Sequence, residues 1–150
     1  MSKLSKFFLG ILIGAASLII TFRIINQAPS QKLHPDDQFR AIIDNSGCNM
    51  CHNPRPKLPF YTKWQLLGNK IKKDASKAYN SIDLDVHLRQ FNQGNQVDNF
   101  ALNKIEEVIS NSSMPPFSFT ILRPGSAISS KEEDIILDWI DRQRSRIGLE

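Results

Sequence analysis

The 150 residues leave room for one domain plus a tail or an anchor, so a single small core must suffice. Lys and Arg total 19 against 15 Asp and Glu, and the pI near 9.2 would by itself suit nucleic acid. Three of those cations, Lys3, Lys6 and Arg23, lie within the first 25 positions, where there is no acid; residues 26–150 carry 16 cations against 15 anions, which excludes a strongly basic nucleic-acid-binding domain.

In chain order, Phe7 to Phe22 is uncharged and apolar apart from Ser17, Thr21 and two glycines, and with Arg23, Ile24 and Ile25 it makes a stretch of 19 residues. That is long enough to span a bilayer. Lys3 and Lys6 precede it, so the positive-inside rule keeps the N-terminus on the cytoplasmic side and sends the rest outward. A cleaved signal peptide fits less well: the candidate cut after Ala28 has Asn26 where a small residue is wanted. Residues 1–25 are therefore expected to form a single transmembrane anchor and 26–35 a short linker. Ten extended residues reach at most about 30 Å. The remainder, 36–150, is expected to be one domain held close to the membrane surface.

A first helix is expected from Asp36, with Phe39, Ile42 and Ile43 on one face, ending at Gly47. Next comes Cys48-Asn49-Met50-Cys51-His52. The spacing Cys-x-x-Cys-His is the attachment site of a c-type haem, because its parts suit three jobs on one porphyrin. Two thiols three positions apart share one side of a helical turn and can add to the two vinyl groups, while the next residue brings an imidazole beneath the iron. Both cysteines of the chain sit here, so the haem-bound form has none left for a structural disulfide. A thioredoxin-like pair would need a βαβ setting that is missing, and a zinc site lacks a second ligand pair at the usual spacing. Attachment of c-type haem takes place outside energy-transducing membranes, so export and motif support each other.

The run Asn53 to Pro59 carries three prolines and reads as a loop, with one of its carbonyls expected to orient the ring of His52. Tyr61 and Trp64 follow, each an apolar body with one donor, suited to a haem edge where a propionate needs a hydrogen bond, or to plain core packing. Helices are expected over Thr62 to Tyr79, interrupted at Gly68, and over Asp83 to Phe91. Asp98 should cap another carrying Leu102, Ile105, Val108 and Ile109, and a last one should start at Ser129 or Ser130, with Ser130 and Glu133 as its capping box. No alternating strand pattern stands out, so the fold class is all-α, a small cytochrome c-like helical domain around one covalent haem. The cations Lys70, Lys72, Lys73 and Lys77 suit a solvated helix face or the docking of an acidic redox partner.

Met114-Pro115-Pro116 lies between the last two of these helices. Proline favours an extended Met114, so the segment can cross a buried surface with its thioether inward and supply the sixth ligand of the iron. His/Met ligation gives a relatively high potential and closes the iron to substrates, which means electron transfer. The rival is His87, His34 sits in the linker, and Met50 is too close to the attachment turn to reach the far side of its own haem.

These pieces, with Leu58-Pro59-Phe60-Tyr61, Leu102 to Glu106 and Ile136 to Arg144, stand in the order found in a known family. From about Phe39 to Arg146 the chain resembles the N-terminal haem domain of bacterial membrane-anchored trihaem cytochrome c peroxidases of the quinol type, and more widely the haem-binding domains with Cys-x-x-Cys-His and a later Met-Pro-Pro. The resemblance implies a periplasmic domain on the bacterial inner membrane that takes electrons from quinol, or from a quinol-oxidising complex, and hands them to a periplasmic acceptor such as a dihaem peroxidase. The chain stops at Glu150, where that module would begin, and has no second Cys-x-x-Cys-His, so peroxidase activity itself is not implied. Arg123 stands where such relatives often carry histidine, and is expected to pair with a haem propionate. The alternatives are a peroxidase-type site in which Met114 is labile, and a haem-based sensor or assembly subunit.

Overall fold

The computed structural model describes residues 3–148; Met1, Ser2, Leu149 and Glu150, the outermost residues of the expected anchor and haem domain, lie outside the described residues. Among those described there is no strand, and the chain runs as seven α-helices, α1 (Lys3–Ile25), α2 (Pro35–Ser46), α3 (Gln65–Ser81), α4 (Leu84–Asn92), α5 (Asn99–Ser110), α6 (Phe117–Leu122) and α7 (Ser130–Ile147). Two 3₁₀ turns, Cys48–Met50 and Phe60–Lys63, flank the proline-rich loop.

In α1, the 21 residues Ser5–Ile25 are long and apolar enough to cross a membrane, and none of them is buried against the rest of the protein. A helix apolar all round and uncovered is a candidate for a membrane span.

The core is built by α2, α5 and α7. His34 accepts a hydrogen bond from the Asp36 amide through Nδ1 (3.3 Å), Pro35 occupies the first turn, and Gly47 ends α2 in the left-handed region at φ 73°. This buries Phe39, Ile42 and Ile43 against Ile136, Trp139 and Ile140 of α7. The Trp139 ring stacks on Phe39 at 3.6 Å, with Phe91 of α4 edge-on at 5.0 Å. Its Nε1 donates to Asp36 Oδ1 at 2.9 Å, so the one polar atom of this buried ring is paired.

Three expectations need correction. The capping box of α7 is Ser129 with Glu132, one residue earlier than Ser130 with Glu133. Gly68 does not interrupt a helix: α3 starts at Gln65 and passes through it, because the 3₁₀ turn Phe60–Lys63 lies on the bare backbone there. Finally, the stretch after Met-Pro-Pro turns helical at Phe117 with Pro116 as N-cap; the Met114–Pro115 peptide is cis.

Candidate functional site

Gly47 turns the chain out of α2 and straight into the Cys48–Met50 turn, so the two cysteines and His52 leave the end of a core helix in a fixed direction. Backbone bonds from Cys51 and His52 to the Cys48 carbonyl (3.3 and 3.1 Å) close the turn. Cys48 Sγ lies 3.2 Å from Ser46 Oγ, and burial pushes its thiol above the ordinary range, as it does that of Cys51. With both pKa values raised, both are thiols at neutral pH, and a charge on Cys48 would raise that of Cys51 further.

His52 is held from a distance. Its Nδ1 lies 3.3 Å from the Ile82 carbonyl, and the Leu84 amide donates back to the His52 carbonyl at 3.0 Å. The acceptor is thus the junction of α3 and α4, thirty residues on, and not the proline-rich loop where the sequence suggested it. Burial lowers the affinity of this imidazole for a second proton. A neutral ring with Nδ1 occupied by a carbonyl leaves Nε2 free, the arrangement a metal-bound histidine uses.

These groups open onto one cavity of about 430 Å³. Its walls are apolar: Ile43, Ile71, Ala78, Ile105, Ile109 and Leu122 contribute, from α2, α3, α5 and α6. Met114 lines the same cavity, as does Tyr61. The Tyr61 hydroxyl is buried without a hydrogen-bond partner, and burial raises its pKa. Such an atom is rarely left unmet, so this one is a donor available to a ligand. Lys70, Lys77 and Lys104 also line the cavity, Lys70 paired with Asp74 at 3.0 Å and Lys104 with Glu107 at 2.9 Å. The three lysines escaped sequence reasoning as site residues, although Lys70, Asp74 and Lys77 repeat at one-face spacing along α3.

Two expected residues stand elsewhere. Trp64 is 58% exposed and packs edge-on against Phe60 at 6.3 Å, outside the cavity lining. Arg123 is also outside it, and its guanidinium donates to the Asn45 carbonyl, covering the last turn of α2 beside Gly47. From there its charge still favours the thiolate of Cys48 and the phenolate of Tyr61. His87, the rival ligand, faces Asp98 at 3.8 Å beside the Phe39–Trp139 core and does not line the cavity.

An apolar cavity with two thiols, an oriented imidazole, a thioether and an unmet hydroxyl defines a haem-holding helical domain, and these donors fit that group. The chain belongs to the haem-binding domain family, which it matches over residues 16–142. It is also similar to the cytochrome c peroxidase Ccp of Escherichia coli (strain K12), with 34% identity over 112 residues. That match covers 73% of this chain and 24% of the relative, so the chain spans about a quarter of the length of the curated relative it matches. No solved structure gives a significant match.

Proposed function

We propose that the protein is a membrane-anchored monohaem c-type cytochrome that transfers electrons, with residues 1–25 as anchor, 26–35 as linker and 36–150 as the haem domain. The observation that carries this reading is that Cys48, Cys51, His52 and Met114, dispersed over 67 positions, line a single cavity. The haem, when bound, supplies the one-electron iron couple.

The chain's own residues do the rest. Cys48 and Cys51 would hold the porphyrin through thioethers, each thiol adding across one vinyl group. His52, its ring fixed by the Ile82 carbonyl, would offer Nε2 to the iron, and Met114 would offer its thioether as a second ligand. The apolar walls exclude water, which favours the less charged, reduced state and a high potential. Tyr61 would be free to donate to a propionate, with Lys70, Lys77 and Lys104 on the same cavity to balance its charge. Arg123 acts on that charge from beside Gly47.

The likeness to a cytochrome c peroxidase supports a donor-side role: electrons arrive from quinol or a quinol-oxidising complex and leave to a periplasmic acceptor such as a peroxidase. Lys3 and Lys6 before α1 support a cytoplasmic N-terminus in the bacterial inner membrane, with the haem domain in the periplasm. A pyridine haemochrome assay combined with mass spectrometry of membrane-fraction protein tests the reading. One covalently bound haem on a chain that keeps its anchor is expected, together with a low-spin spectrum in both oxidation states. A dissociable haem, or a high-spin ferric spectrum indicating an open iron, overturns it.

A further inference from the structure

The helix α6 is apolar on two sides. Ser118, Phe119 and Leu122 line the cavity, while Phe117 and Ile121, one turn apart, face away and are 79% and 60% exposed. Directly after α6, the Arg123–Gly125 turn meets the end of the anchor: a methyl group placed on Gly125 would lie 2.5 Å from Ile25 Cγ2. The exposed face of α6 therefore starts within a few residues of the point where α1 ends.

Charge is distributed to match. All 15 acidic residues lie outside two segments: none occurs between Asn53 and Lys73, and none between Val108 and Lys131. The first segment carries Arg55, Lys57 and Lys63 around the exposed rings of Phe60 and Trp64; the second carries Arg123 and α6. Both contribute wall to the same cavity, through Tyr61 and through Leu122. Exposed aromatic and aliphatic side chains on segments free of acid, one of them carrying Arg55, Lys57 and Lys63 at exposed positions, are the chemistry that settles into the headgroup layer of an anionic bilayer.

We propose that the outer face of α6 and the Phe60–Trp64 turn rest in the headgroup layer of the bilayer that α1 crosses, with an anionic lipid surface as the occupant. This inference rests on α1 being a membrane span, and it brings the α6 wall of the haem cavity to the lipid boundary.

The test uses the full haem-loaded chain, one copy per nanodisc, in anionic and in zwitterionic lipid. Ile121→Cys and, as a control on the exposed side of α7, Asp141→Cys are reacted with a charged, water-soluble maleimide. Each rate is normalised to that of the same variant in denaturant. With Cys48 and Cys51 taken up in thioethers, each variant has one reactive thiol. In anionic discs Ile121→Cys should react about tenfold more slowly than Asp141→Cys, the gap shrinking in zwitterionic lipid. Adding Lys57→Glu and Lys63→Glu, both at exposed positions, should restore the Ile121→Cys rate. Equal rates for the two cysteines in anionic discs overturn the proposal. Protection of Ile121→Cys only when two copies share a disc also overturns it and assigns the face to a second copy of the chain. The absorption spectrum and disc retention of the same samples report haem attachment and anchoring separately, so a failure of the electron-transfer reading is distinguishable.

Discussion

Replacing Gly68 with alanine sets two effects of opposite sign against each other. Within a 17-residue helix, Gly→Ala would stabilise α3 by about 1 kcal/mol through backbone entropy. A methyl group here, however, would fall on the Thr62 carbonyl oxygen and 2.8 Å from the Thr62 carbonyl carbon. Both are backbone atoms, so no side-chain rotation relieves the clash, and the Phe60–Lys63 turn must lift away. Lifting it strains the Gly68 N–H to Trp64 carbonyl bond (2.7 Å) and the Thr62 Oγ1 to Pro59 carbonyl bond (2.7 Å). Overpacking costs about 1–3 kcal/mol and each weakened bond about 1 kcal/mol. The steric term wins, leaving Gly68→Ala destabilised by about 2–4 kcal/mol after the helix gain is subtracted. Because the turn carries Tyr61, the haem environment should change too. Denaturant unfolding of the haem-loaded protein should show a lower midpoint at unchanged slope, with a shifted reduction potential. Ser76→Ala, on an exposed position of the same helix, should instead be neutral or slightly stabilising. A Gly68→Ala protein as stable as the parent would refute the reasoning.

Met114→Leu keeps volume and removes the thioether; the ferric spectrum should turn high-spin and the potential fall by a measurable part of the roughly 0.8 V range that axial ligands command. Tyr61→Phe should leave the haem-free protein as stable or slightly more stable, since it deletes an unmet hydroxyl, yet destabilise the haem-loaded form by about 1.5–3 kcal/mol, read as a difference between two unfolding curves. The Arg144 guanidinium, which donates to Glu106, holds that carboxyl below its ordinary value near 4.5. Its folded pKa is lowered, so its stabilisation is present above about pH 4.5 and lost as pH falls through the folded value; Glu106→Gln should flatten that part of the stability-pH curve. With Glu106 39% exposed, the effect should stay below about 1 kcal/mol.

Where residues are contiguous in the chain the sequence reads most directly: Cys48, Cys51 and His52 leave one turn and line one cavity, and α2, α5 and α7 follow from apolar spacing, although the capping box of α7 falls one residue earlier than its pattern suggested. Met114 was legible for a different reason. The prolines after it favour an extended backbone that can cross a buried surface, and the cavity does include it, while its role as a ligand stands as the proposal above. The carbonyl that orients His52 was not legible, because the contact with Ile82 depends on where α3 stops and not on any property of isoleucine. The helix α6 was hidden by its composition. Phe-Ser-Phe-Thr-Ile-Leu favours extended backbone by propensity, and it is helical because Phe119 and Leu122 find the cavity wall. Gly68 was read as a breaker because propensity is local, whereas the turn lying on it is a tertiary fact.

The two ends of the site are built with unequal stiffness. The imidazole side is fixed by two bonds to the α3–α4 junction, 3.3 Å from Ile82 and 3.0 Å from Leu84, behind an attachment turn closed on its own backbone. Met114 hangs between α5 and a six-residue helix whose outer face is exposed. A short helix of that kind draws its stability from what it packs on, here the cavity contents on one side and whatever lies beneath Phe117 and Ile121 on the other. Its position is then sensitive to both. With a lipid surface under α6, as proposed above, that short helix would be braced on both faces, and with it the segment that carries Met114 to the cavity.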